Sequence, residues 1–183
     1  HALRGIENAV EAGVDSIEHC TFADDAVLRK MAAAGTTLVP TVCAGELLFR
    51  DPAAIASMPP HLLTRMAEFN DIHIDAIHRA HQLGVAIAMG TDAGTPGNHH
   101  GLNAEECVLL SLKAGLSPQE SIRTATVNAA RLLRQADHLG ALDEGKHADI
   151  IGMCENPLDD ITALTRVALV IKAGEVARDE RGA

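Results

Sequence analysis

The chain has 183 residues, 47% of them hydrophobic and 22% charged, enough apolar material to bury one compact core with a small satellite and too much for a disordered tail. Its 25 acidic residues outnumber 15 basic ones for a net charge of -10, and no Lys/Arg cluster offsets that field, which excludes nucleic acid and anionic membranes as partners. The longest uncharged stretch, residues 31–45, is broken by Gly35 and Pro40 and is too short to cross a bilayer, and Cys20, Cys43, Cys107 and Cys154 form no CxxC pair.

In chain order, helical periodicity alternates with short apolar runs, the pattern of parallel βα units. Residues 3–12 read as a helix ended by Gly13, 14–19 as a strand, 23–34 as a helix stopped by Gly35, and 37–42 as a strand. Residues 43–60, with Pro52, Pro59 and Pro60, predict a long irregular connection before a helix over 61–83 that ends at Gly84. In the strand expected over 85–91, Ala86, Ala88 and Gly90 are small while Val85, Ile87 and Met89 are bulky; the small side should face a crowded interior. A loop over 92–101 precedes helices at 102–114 and 118–133, the second opened by Ser117 with Pro118 at its first position. From residue 139 the composition changes, and 148–153 and 167–172 read as strands of a small β unit.

Two polar residues close their strands where a parallel α/β fold places its active site: His19 and Asp92. His1 precedes the first helix and can occupy the equivalent position on a preceding strand. An imidazole and a carboxylate meeting there suit Zn²⁺ or a similar ion, and a carboxylate beside an activated water can take its proton. Without a metal, the same residues are accounted for by a core histidine and a turn-capping aspartate. The loop after Asp92 puts His99 and His100 near the same rim, as substrate contacts or as plain solvated residues. His73, His78 and His81 lie on the long helix without an HExxH pattern and read as surface or packing residues, and Cys20 reads as structural. No G-x-S-x-G, Walker or G-x-G-x-x-G motif is present, and with three Phe and no Trp or Tyr the usual stacking platforms for bases and sugars are missing.

Ser16-Ile-Glu-His19, Gly90-Thr-Asp92-Ala-Gly, His100-Gly-Leu-Asn103-Ala-Glu105 and Gly145-Lys-His-Ala-Asp149, in that order, resemble the successive signatures of the amidohydrolase superfamily, in its imidazolonepropionase-like and Xaa-Pro dipeptidase (prolidase-like) branch. The resemblance implies an α/β fold: the C-terminal half of a TIM (β/α)₈ barrel over residues 1–137 and part of a small β-sandwich over 138–183. It also implies one or two Zn²⁺ ions, with His1, His19 and Asp92 as ligands from the fifth, sixth and eighth strands, Asp92 as general base and His100 as a substrate contact. The family's HxH pair and bridging lysine have no counterpart here, and Cys20 stands where relatives commonly have Gly.

These features lead to the expectation of a metal-dependent hydrolase acting on the C–N amide bond of a dipeptide or small amide, inactive as the isolated chain. A deaminase or decarboxylase on the same fold, or a non-catalytic remnant domain, is the alternative. Open strand edges predict a homo-oligomer or association with the missing barrel half. Reduced cysteines suggest a cytoplasmic protein.

Overall fold

In a computed structural model the structure describes residues 1–182; the last residue of the 138–183 segment lies outside the described residues. The chain opens with α1 (Leu3–Glu11), β1 (Ser16–Glu18), α2 (Asp25–Ala34) and β2 (Thr37–Val39). Ile6 and Val10, four apart, turn the same face of α1 inward. Asp24 starts α2 by accepting a hydrogen bond from the Val27 amide at 2.8 Å, and Gly35, at φ 74°, ends it in the left-handed conformation that a C-terminal cap requires.

β1 and β2 are parallel, with Ile17 opposite Leu38. The segment after Gly84 lies parallel along the other side of β2: Leu38 N–H donates to Ala86 O at 2.8 Å and Ala88 N–H to Leu38 O at 3.0 Å. Only the Leu38–Ile87 bridge forms there, rather than the full strand expected over 85–91. The physical reason is a missing neighbour: no described strand lies along the far edge, the Ile87 carbonyl instead accepts from Asn128 Nδ2 at 2.8 Å, and the Met89 amide turns away to Thr124 O at 2.9 Å. The expected crowding on the small side is real at Gly90, where a Cβ would come 2.4 Å from Val39 Cγ1. Helices cover the bulky side. Leu28, Met31, Leu38, Ile77 and Leu110, all 0–1% exposed, form its core.

The connection expected to be irregular is helical: α3 (Val42–Glu46), a 3₁₀ turn (Leu47–Arg50) and α4 (Pro52–Ala56). Asp51 caps α4 through the Ala53 amide at 2.9 Å, a local signal. α3 is held from a distance. Glu106, wholly buried on α6 (Ala104–Leu112), accepts from the Val42 and Cys43 amides, both at 2.8 Å. Burial raises the Glu106 carboxyl to about 7 despite those amides, which pull the other way.

The long helix α5 (Pro60–Gln82) buries Asn70, His73, Ala76, Ile77 and Ala80 along one stripe. After α6, Ser117 and Glu120 form a reciprocal cap on α7 (Pro118–Arg123), and the helix expected to run on to residue 133 is interrupted by a π turn (Thr124–Asn128) before α8 (Ala129–Leu132). β3 (Ile150–Met153), β4 (Val167–Lys172) and β5 (Glu175–Asp179) form an antiparallel sheet in that order. Asp149 fastens the β4–β5 hairpin: its carboxylate accepts from Lys172 Nζ at 2.5 Å and from the Ala173 amide at 2.8 Å. Cys107, Val108, Ile161 and Leu164 join this sheet to the parallel part. No helix among the described residues is long and apolar enough to cross a membrane.

Cys20, Cys43 and Cys107 are buried and Cys154 is exposed. Burial pushes the Cys20 and Cys107 thiols up to about 11, and burial beside Glu106 pushes Cys43 higher still, so none of the three is a thiolate nucleophile.

Candidate metal-binding site

A cavity of about 210 Å³ opens at the carboxyl ends of the parallel segments, and His1, His19 and Asp92 all line it. The other walls include Thr41, Gly45, Glu46, Phe69, Asn70 and His73. His1 and His19 stack with ring centroids 4.4 Å apart and planes 13° from parallel, and Phe69 meets His1 edge-on at 5.4 Å. His1 is tied to the body by its carbonyl, which accepts from the Phe22 amide at 3.0 Å.

The backbone at this rim is strained. His19 (φ 66°), Cys20 (φ 62°), Thr41 (φ 59°) and Asp92 (φ 53°) are non-glycine residues in the left-handed region. Each costs on the order of 1 kcal/mol and persists only where surrounding contacts impose it. Those contacts are identifiable. The His19 amide donates to Val39 O at 2.9 Å as the last rung of the parallel ladder, and Cys20 Sγ packs on Met31 Sδ at 3.7 Å. Buried Asn98 donates from Nδ2 to the carbonyls of Thr91 at 2.7 Å and Asp92 at 3.0 Å, folding the loop back under Asp92.

Both histidines are held by Nδ1. His1 Nδ1 is 2.9 Å from Thr21 Oγ1, and His19 Nδ1 is 2.6 Å from Thr41 Oγ1. Among the described residues neither Nε2 has a hydrogen-bond partner, and with the Asp92 carboxylate the cavity carries two imidazole nitrogens and an acidic oxygen, a donor set suited to zinc. Among the described residues no three His, Cys, Asp or Glu side chains are close enough to hold an ion by themselves, so this set is a partial one. The Asn70 amide adds an orphan: among the described residues its buried Nδ2 has no hydrogen-bond partner, while its Oδ1 fills the space a Cβ on Gly45 would take.

His100 is exposed on the loop after Asp92 and is not among the residues lining this cavity; His99 is exposed on the same loop. His78 bonds Ala114 O at 3.1 Å and Gln82, and His81 lies 3.7 Å from Glu120, packing roles as the sequence suggests. Of the two roles expected for His73, surface or packing, the structure shows packing. It is buried in the cavity wall, with Nδ1 2.9 Å from Thr21 Oγ1 and Nε2 2.8 Å from Pro40 O. Burial depresses it to about 4. The sequence signal was its place on the apolar stripe of α5, between Asn70 and Ile77, where a polar ring needs partners. A larger hollow of about 610 Å³ lies between α6, α7 and the antiparallel sheet, but its lining is mostly apolar and shares no residue with the histidine cavity.

Residues 1–177 match the model of the amidohydrolase family. The chain belongs to the amidohydrolase family. Ochratoxinase of Aspergillus niger is 35% identical over 162 residues, 88% of this chain and 32% of that protein. An imidazolonepropionase of Symbiobacterium thermophilum is 30% identical over 182 residues, 97% of this chain and 38% of that protein. Among solved amidohydrolase structures, a Xaa-Pro dipeptidase with bound methionine superposes with a TM-score of 0.86 at 38% identity, covering 97% of this chain and 43% of that one. The chain therefore spans between about a third and under half of the length of these amidohydrolase relatives.

Proposed function

We propose that this chain is the C-terminal portion of a metal-dependent amidohydrolase that cleaves the C–N bond of a dipeptide or comparably small amide. Residues 1–137 form half of a (β/α)₈ barrel and 138–183 part of a small β-sandwich in this reading. The observation that supports it is the convergence of His1, His19 and Asp92 on one small cavity at the ends of parallel segments. His1, His19 and Asp92 are the residues that would hold the metal. A divalent cation there, zinc by the donor set, supplies Lewis acidity and lowers the pKa of water. Asp92 takes the proton from the attacking water and delivers it to the leaving nitrogen. His100, from the loop beyond Asp92, contacts the substrate at the rim.

A dipeptidase among the similar structures points to the same substrate class. The exposed far edge of the 85–90 segment needs cover, which self-association or the remainder of the barrel provides. A monodisperse monomer in sedimentation velocity would count against that part.

The deciding experiment is metal content by plasma mass spectrometry after dialysis, for the chain and for its His19→Ala and Asp92→Asn variants, followed by a panel of dipeptides and small amides. Near-stoichiometric zinc, lost in both variants, supports the reading. No metal in any of the three favours a non-catalytic domain, the alternative that the partial donor set also supports. Turnover of cyclic amidines or loss of carbon dioxide in place of amide cleavage moves the assignment to a deaminase or decarboxylase.

A further inference from the structure

The long helix α5 turns Met66, Phe69, Asn70, His73 and Ile74 to the histidine cavity, one stripe at helical spacing. Three of the five are apolar, and both ring nitrogens of His73 are taken by Thr21 and Pro40. Asn70 is the remaining polar group on that wall. It is 8% exposed, and among the described residues its carboxamide has no hydrogen-bond partner at either end; Nδ2 is enclosed as well as unpaired. Protein interiors seldom leave an amide N–H in that state. The facing helix keeps room for it. Gly45 lies within α3 and outside the left-handed region, where alanine would suit the helix better. A Cβ there would come 2.1 Å from Asn70 Oδ1 and 3.0 Å from Nδ2, so the carboxamide it faces accounts for the glycine.

No partner fixes which way this carboxamide points, and a half turn about its last side-chain bond exchanges oxygen and nitrogen without altering its shape. After that turn the nitrogen stands beside Gly45, at the cavity both residues line, and the oxygen takes the enclosed place, where a missing partner is better tolerated than for an N–H. Charge narrows what the nitrogen would meet. Among the described residues no Lys or Arg lines the cavity, while Asp92 and Glu46 do, and Glu46 is paired with Lys113. An anionic group would find carboxylates and no counter-cation at this wall, whereas a neutral carbonyl needs only the one donor. We propose that Asn70 is a specificity-determining residue that donates from Nδ2 to a neutral carbonyl oxygen of the substrate, with an apolar substrate side chain resting on Met66, Phe69 and Ile74. The inference rests on the reading of this cavity as a substrate site, and it names the group that α5 recognises: a peptide or carboxamide carbonyl rather than a free carboxylate.

The test is titration of the ¹⁵N-labelled chain with N-acetyl-L-leucinamide and, separately, with N-acetyl-L-leucine, followed through the side-chain amide signals of Asn70. The capped amide should shift both Asn70 protons and bind more tightly than the acid. Asn70→Ala, and the nearly isosteric Asn70→Asp that removes the donor, should each weaken the amide about 2–10-fold. Gly45→Ala, whose methyl displaces the carboxamide, should weaken it to a similar degree in the parent chain and not at all in the Asn70→Ala background. An undisturbed Asn70 signal, an acid that binds as tightly as the amide, or a Gly45→Ala effect that persists without Asn70 overturns the proposal. Zinc content of the same samples separates this inference from the reading beneath it. Amide binding through Asn70 in a chain that takes up no zinc upholds the role of the carboxamide and counts against the metal-dependent hydrolase. Zinc uptake with an amide affinity indifferent to Asn70→Ala does the reverse.

Discussion

Replacing Glu106 with glutamine should make the chain's stability rise with pH between about 4 and 7, where the parent chain's is nearly flat. Two buried groups oppose each other across that window. Burial raises Glu106 from 4.5 to about 7, so its contribution to stability is complete below 4.5 and is lost as pH rises through 7. Burial lowers His73 from 6.5 to about 4, so its contribution is complete above 6.5 and is lost as pH falls through 4. At about 1.4 kcal/mol for each tenfold change in proton affinity, each contributes about 3 kcal/mol, and over the shared interval the two slopes largely cancel. Glu106→Gln removes one side of the balance. Stability should then climb by about 3 kcal/mol from pH 4 to 6.5 relative to the parent chain, whereas His73→Phe should make it decline by a similar amount towards pH 7. Urea unfolding followed by far-ultraviolet circular dichroism at pH steps gives both curves, and subtracting the parent curve removes the background of exposed carboxylates. Parallel curves for Glu106→Gln and the parent would show that Glu106 does not titrate in this range and would refute the reasoning.

Gly90→Ala places a methyl 2.4 Å from Val39 Cγ1 and should cost about 1–3 kcal/mol, most of it recovered when combined with Val39→Ala; equal losses in single and double variants would contradict the packing argument. Asp149→Ala removes the carboxylate that holds Lys172 and the Ala173 amide, and should increase amide hydrogen exchange in β4 and β5 while leaving β1 and β2 unchanged. Of the four thiols, Cys154 alone should react rapidly with an aromatic disulfide reagent in the folded chain, with Cys20, Cys43 and Cys107 appearing only in denaturant.

Punctuation made the βα rhythm legible. Gly13, Gly35 and Gly84 stop helices where the periodicity ends, Asp24 and Ser117 start them, and the apolar runs between became β1 and β2. His19 and Asp92 were legible because they close such runs. What escaped was whatever depended on distant partners. α3 is five residues long, too short to stand on propensity, and it forms because the Glu106 carboxylate, more than sixty residues away, receives its first amides. The 85–91 run has strand composition but lacks a second neighbour, so it pairs on one side only. His73 was legible only as a surface or packing residue, because the partners that hold it in the cavity wall, Thr21 and Pro40, are brought to it by tertiary structure. His100 was placed near the rim by loop position; it is exposed on that loop, with Nε2 3.9 Å from where a Cβ on Gly94 would stand.

The left-handed residues at the cavity rim bear on how this chain would drift under selection. Glycine or asparagine at positions 19, 41 and 92 would relieve about 1 kcal/mol of backbone strain apiece while deleting a ring, a hydroxyl and a carboxylate. A library sorted only for expression or heat resistance should therefore enrich these substitutions, improving the scaffold while dismantling its chemistry. Retention of histidine, threonine and aspartate there under selection for turnover, set against their loss under selection for folding, would separate what the rim does from what merely holds the chain together.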